Sequence, residues 1–225
     1  MERFFDIFFS SISILIFLPI LIPIILTLKL TGEGEIFFSQ ERVGKGGKIF
    51  KIYKFATMLK NSPNIGTRTI TLENDPRILP FGRFLRKSKA NELPQLLNIL
   101  IGDMSIIGPR PLTLENYNFY SEKNKHIISK VRPGLSGIGS IIFRNEEKLL
   151  NNSYNSYHFY NNIIAPYKGS LEEWFVSKKN IFKYFLIIIL TIWIIFFPAS
   201  KLVWRIFQDL PNPPKQLKKS LNYIK

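Results

Sequence analysis

Apolar residues fall along this chain in several distinct patterns, and each predicts a different element. From Ile7 to Leu28, "IFFSSISILIFLPILIPIILTL", 22 residues carry no charge, which as a helix is about 33 Å, the thickness of a bilayer core. Pro19 and Pro23 lie in its second half, and each removes a backbone donor and disfavours a straight helix. The segment therefore either crosses a membrane kinked or bends back and leaves on the face it entered. "EIFFSQERV" and "KIFKIYKF" are β-prone stretches around "GKGG", the pattern of a hairpin or a pair of short strands. "RILPFGRFLRKS" predicts a helix. Leu93, Leu96, Leu97 and Leu100 recur at i, i+3, i+4 and i+7, one apolar helix face. Pro94 is tolerated only in a first turn, so this helix is expected to begin near Ala90 or Asn91.

The remaining segments are less regular. Residues 60–80 read as loop, and "VRPGLSGIGSIIF" (131–143) reads as a Gly-punctuated turn leading into an apolar strand or extended stretch. "NNSYNSYHFYNNII" is compositionally biased helix or loop. Tyr184–Phe197 is apolar but only 14 residues long, short for a span, so a buried or membrane-surface helix is expected. The basic tail after Pro211 is expected to lie loosely on the membrane surface. The expected organisation is a membrane anchor over 1–30, a cytoplasmic α/β domain over 31–180, helix-rich with a small β-hairpin, and a membrane-associated helix and tail over 181–225.

Charge narrows the choice of partners. Lys and Arg number 31 against 16 Asp and Glu, a net charge of +15, so an anionic partner is implied: nucleic acid, lipid headgroups or a phosphorylated substrate. Lys29, Arg42, Lys45, Lys48, Lys51 and Lys54 follow the apolar segment. The positive-inside tendency puts them in the cytoplasm, close to anionic membrane lipid. No nucleic-acid recognition motif is visible. With no cysteine, disulfides and thiolate metal sites are excluded and a reducing compartment is the simplest context.

The densest candidate chemistry lies in "SKANELPQLLNILIGDMSIIGPRP" (88–111). A helix starting near Asn91 would set Asn91 and Glu92 at its positive end, where free N–H groups meet phosphate. Arg86, Lys87 and Lys89 stand upstream and Arg110 downstream. This is a candidate diphosphate site, with Glu92 available to a divalent metal. Capping alone would also place Asn and Glu there. Arg144, followed by Glu146 and Glu147, either reaches a donor's phosphates or belongs to a solvated charge cluster. Asp75 and Asp103 are either metal-assisting carboxylates or turn formers.

"FFSQERVGKGGKIFKIYKFATM" (37–58), "DPRILPFGRFLRKSKANELPQLLNILIGDMSIIGPRPL" (75–112) and "VRPGLSG" (131–137) together resemble the bacterial sugar transferase family, the monotopic polyprenyl-phosphate phosphoglycosyl transferases. The resemblance implies transfer of a sugar phosphate from a nucleotide diphosphosugar, usually a UDP-sugar, to undecaprenyl phosphate with release of UMP. It also implies Mg2+, a bacterial inner-membrane address with the catalytic domain in the cytoplasm, and a re-entrant anchor broken at a proline that Pro19 matches. A second copy of the chain is a further candidate partner. Glu92 matches the family's magnesium-binding Glu, and Arg86 and Arg110 match likely phosphate ligands.

At one position the match fails. The Asp that serves the family as nucleophile is Asn91 here, and a carboxamide cannot form an acyl phosphate. Three accounts follow: Glu92 acts as nucleophile, the two substrates react directly, or the chain is a silent scaffold in a glycan-assembly complex. Smaller departures are Leu18 for the serine before the break proline, Ala56 for the basic residue before "TM", and no acidic residue in "NIFKYFLIIILT".

Overall fold

The computed structural model describes residues 1–65, 75–151 and 156–223. Part of the expected 60–80 loop and of the Asn- and Tyr-rich segment thus lies outside the described residues.

The chain opens with α1 (Glu2–Leu30), long and apolar enough to cross a membrane, with a mean hydropathy of 2.7 over its best window. It runs as a single helix through Pro19 and Pro23, so no second helical segment begins at the expected break. Proline's fixed φ is itself helical, and each ring removes only one intrahelical bond. One face of α1 is tied to the rest of the protein along its length. Arg3 donates to the carbonyls of Ile99 and Leu100. Asp6 is buried and accepts from Ser105 Oγ at 2.9 Å, the Ile106 amide at 2.9 Å and Tyr184 Oη at 2.8 Å. Ile24 and Leu28 pack with Phe55 and Leu85.

The strands β1 (Phe37–Val43) and β2 (Ile49–Phe55) form the expected antiparallel hairpin, Phe38 opposite Lys54 and Arg42 opposite Phe50. The turn between them uses Gly46 and Gly47 at φ 70° and 75°, a region open to glycine. Next come α2 (Pro80–Lys87) and α3 (Gln95–Ile101), joined by a 3-10 turn over Ala90–Glu92. The α-helix thus starts four to five residues later than its leucine spacing predicts. Ile99 joins Leu96 in the core while Leu97 stays 48% exposed.

After α3 come β3 (Ser105–Ile107), α4 (Leu114–Asn118), α5 (Glu122–Ile128) and β4 (Gly134–Ser136), β3 and β4 pairing in parallel. Gly108 and Gly134 make that pairing possible: a Cβ on Gly134 would stand 2.1 Å from the Gly108 nitrogen. Ile138–Ile142, expected to be extended, is the short helix α6. Its isoleucines suit a strand by propensity, but Ile138 and Ile141 are buried on one helical face, and tertiary packing overrides a weak preference.

The chain closes with α7 (Glu146–Asn151), α8 (Ser156–Phe159), α9 (Ala165–Lys178), α10 (Ile181–Phe196), α11 (Leu202–Ile206) and α12 (Lys215–Lys218). Tyr184, Ile187 and Leu190 on α10 enter the same core as Ile107, Ile138 and Leu171, and so do Trp204, Leu217 and Leu221. The tail is therefore folded, not loose: Leu217 is fully buried and Trp204 Nε1 donates to the Leu221 carbonyl at 3.0 Å. Burying each such apolar side chain contributes about 1.5–3 kcal/mol, which outweighs the tail's lysines staying in solvent. The opposite face of α10 leaves Phe182, Ile189, Ile192 and Phe196 exposed.

Candidate active site

The site is assembled where the hairpin meets the turn between α2 and α3. Phe50, Ile52 and Lys54 alternate onto the inner face of β2, with Ile52 buried. Lys54 is thereby pointed inward, and its Nζ lies 3.0 Å from Glu92 Oε1. Arg110 comes from the loop after β3 and sets its guanidinium 3.8 Å from the same oxygen. Arg42 reaches the cluster from β1, donating to the Pro111 carbonyl at 3.3 Å and to Gln40 Oε1 at 2.6 Å.

Lys89 completes the ring. Its backbone is left-handed, with φ 62°, an uncommon conformation for lysine that costs about 1–2 kcal/mol. That residue turns the chain from α2 into the 3-10 turn carrying Asn91 and Glu92, and such outliers cluster at functional sites.

Electrostatics follow from this crowding. Burial pushes the Glu92 carboxyl up, but Lys54, Arg110 and Lys89 together outweigh it and hold it at about 2. Glu92 is ionised at every physiological pH. Burial, with Arg110 and Arg42 nearby, brings Lys54 down to about 8 against the opposing pull of Glu92. Burial and the neighbouring Arg110 likewise lower Arg42 to about 10.

Asn91 is buried, and its Oδ1 has no hydrogen-bond partner. Leaving such an atom unmade costs about 1–3 kcal/mol, and capping would have satisfied it. The Glu92 amide is not free for phosphate either, since it donates to the Lys89 carbonyl at 3.1 Å. The site's positive potential therefore comes from side chains, not from the helix end that the leucine spacing predicts.

Glu92 and Arg110 are thus brought together beside Asn91. Arg86 stands at the rim, 2.6 Å from Glu147 on α7. Arg144 is not brought to the cluster: it lines a separate small crevice with Ile194 and Trp204. Pro19 lies exposed within α1. Asp75 is a buried partner of Arg77, at 2.5 Å. Lys54 and Arg42 are singled out by strand alternation, although the surrounding run of lysines hides the signal.

Behind the Arg110 loop lies a second acid. Glu172 on α9 is 2% exposed, and its Oε1 accepts from the Arg110 amide at 3.4 Å. A Cβ on Gly139 would lie 2.4 Å from that oxygen, so any side chain there would require the Glu172 carboxylate to shift. The nearby Lys168 ammonium is bound to both oxygens of Glu146, at 2.7 and 2.8 Å. Burial accordingly pushes Glu172 up to about 7, against the smaller opposing effects of the Arg110 amide, Lys168 and the Arg110 charge.

A metal can be tested against these groups. No set of three or more His, Asp or Glu ligands occurs among the described residues. Glu92 Oε2 takes no hydrogen bond from a described residue, and the orphaned Asn91 carbonyl oxygen is its neighbour in sequence. The free Glu92 oxygen suits Mg2+, which commonly takes one or two protein oxygens and fills its shell with substrate phosphate and water.

A cation-ringed carboxylate beside a long apolar helix is the equipment of an enzyme that handles phosphorylated substrates at a membrane. The comparisons agree. The model of the bacterial sugar transferase family matches residues 1–198, and the chain belongs to that family.

Its relatives include the exopolysaccharide production protein ExoY of Rhizobium meliloti, 34% identical over 159 residues, 64% of this chain and 70% of ExoY. The undecaprenyl-phosphate galactose phosphotransferase of Salmonella typhimurium is 35% identical over 161 residues, 65% of this chain and 33% of that protein. The UDP-glucose:undecaprenyl-phosphate glucose-1-phosphate transferase of Escherichia coli is 37% identical over 143 residues, 63% of this chain and 31% of that protein. The match thus spans only about a third of these two longer transferases. Membership makes the chain a sugar transferase, and the silent-scaffold account finds no support among these relatives.

Proposed function

We propose that the protein transfers a sugar phosphate from a nucleotide diphosphosugar, a UDP-sugar, to undecaprenyl phosphate, releasing UMP. The observation that carries this reading is Glu92, ionised and held between Lys54 and Arg110, in a family whose relatives are named for undecaprenyl-phosphate transfer. Lys54, Arg42, Lys89 and Arg110 offer the charge that a diphosphate needs. Arg86 joins them by exchanging Glu147 for a phosphate oxygen.

Glu92 would hold Mg2+, which when bound would neutralise diphosphate charge and support departure of the nucleotide. With a carboxamide at residue 91, no acyl phosphate forms there. Glu92, at about 2 and clamped by two cations, is a weak nucleophile. The reading is therefore direct displacement. A phosphate oxygen of the acceptor attacks the sugar-bearing phosphorus, the bridging P–O bond to the nucleotide breaks, and UMP leaves with that electron pair.

The membrane arrangement is part of the proposal. Arg3 and Asp6 near one end of α1, and Ile24 and Leu28 near the other, contact the same folded body. This supports a monotopic anchor with both ends on the cytoplasmic face of the inner membrane, in preference to a straight span.

Two assays test the reading. Purified protein with Mg2+, undecaprenyl phosphate and a panel of UDP-sugars should release UMP together with a lipid diphosphosugar. Without acceptor, it should not exchange labelled UMP into the UDP-sugar. Exchange without acceptor would require a covalent phosphosugar intermediate and would overturn direct displacement.

A further inference from the structure

A polar cavity lies near the C-terminal end of α3. It has a volume of about 410 Å³ and is lined by Arg3, Lys45, Lys130, Arg132 and Lys179 with Glu2 and Asp6, within the size range of small-molecule sites. Five cationic side chains face two carboxylates there.

Three of the cations have structural tasks. Arg3 and Arg132 donate to the carbonyls of Leu100 and Gly102, both at 2.7 Å, at the end of α3. Lys179 pairs with Glu2 at 2.9 Å. Asp6 is occupied by Ser105, Ile106 and Tyr184. Neither Lys45 nor Lys130 is paired with a carboxylate among the described residues. The Gly46 amide donates to the Ser129 carbonyl at 2.8 Å, fixing the two lysine-bearing segments side by side.

Exposed phenylalanines stand next in sequence to two residues that line the cavity, Arg3 and Ile181. They are Phe4 on α1 and Phe182 on α10, 67% and 72% exposed. Phe5, Phe9 and Phe185 form an edge-to-face cluster joining the two helices.

We propose that this cavity binds the phosphate headgroup of an anionic glycerophospholipid, with Lys45 and Lys130 on the phosphate and the acyl chains along the exposed phenylalanines. A phosphodiester carrying acyl chains suits both the cations and the neighbouring exposed phenylalanines; inorganic phosphate suits only the cations. The inference rests on α1 being embedded in a bilayer and not on the transfer reaction. Anionic lipid held here would fasten the first turns of α1 to β3 and α10.

The test uses the full chain. Flotation with pure phosphatidylcholine vesicles reports α1 insertion, and failure to float would overturn the membrane reading and the site with it. Binding of phosphatidylglycerol over phosphatidylcholine is then read by native mass spectrometry from detergent micelles. Lys45→Gln/Lys130→Gln should weaken phosphatidylglycerol binding about 30-fold, or about 2 kcal/mol at about 1 kcal/mol per lysine. The charge-matched control Lys51→Gln/Lys201→Gln, at two exposed positions, should bind as the wild type does. An equal loss in both pairs would mean diffuse charge attraction and overturn the site. So would flotation without phosphatidylglycerol preference, or displacement of the lipid by inorganic phosphate or by undecaprenyl phosphate.

Discussion

Glu92 and Glu172 are both withdrawn from solvent and both lie against Arg110, yet one is held at about 2 and the other pushed to about 7. Glu92 meets the Arg110 guanidinium and the Lys54 ammonium. Among the described residues Glu172 accepts a hydrogen bond only from the Arg110 amide, and the nearby Lys168 ammonium is already bound to Glu146. Burial pushes both upward, and the cations in contact with Glu92 reverse that push, whereas those near Glu172 do not. The Arg110 loop thus touches a permanently charged carboxylate through its guanidinium and a carboxyl that changes charge near neutrality through its backbone.

The comparison breaks most visibly at Glu92. Glu92→Ala should lower UMP release by about 10³-fold, as expected for a group that acts on transition-state charge, with circular dichroism and melting showing that the fold persists. Arg110→Gln keeps the loop's backbone but removes its charge, and a loss of about 10²-fold in kcat/KM is expected. If Arg110 only braced the loop, kcat/KM would stay near the wild-type value.

The pH profile sharpens the picture further. Lys54 loses its proton as pH rises through about 8, so activity should fall along a single limb there. In Lys54→Arg that limb should move upward beyond pH 9, because arginine stays charged.

Glu172→Gln should have the smallest effect, and its sign is fixed. Glu172's pKa in the folded chain, about 7, lies above its ordinary value. The stability it contributes is therefore complete below about pH 4.5 and lost as pH rises to about 7. The Gln variant should melt with the wild type at pH 4.5 and above it at pH 8. Equal melting differences at both pH values would show that Glu172 does not titrate there.

Local rules carry much of this fold. The hairpin, α2 and the halt imposed by Pro94 follow from alternation and proline chemistry, and Glu92 and Arg110 are visible as an acid and a base around one apolar helix. What local rules miss has tertiary causes. The 3-10 turn depends on Lys89 adopting φ 62°, which no propensity for lysine suggests. Glu172 depends on the room left by Gly139, 33 residues earlier in the chain. Leu217 and Leu221 are buried by a core whose other members lie up to about a hundred residues upstream. Lys54 is the intermediate case, legible from strand alternation once the strand is known to bury Phe50 and Ile52.

Direct displacement makes phosphosugar transfer depend on Glu92 even though residue 91 is Asn. Its most direct test is UMP release by wild type, Glu92→Ala and Asn91→Asp in parallel, with Mg2+, undecaprenyl phosphate and the UDP-sugar panel. The wild type should turn over, and Glu92→Ala should lower that turnover by about 10³-fold. A silent wild type with activity appearing only in Asn91→Asp would contradict it.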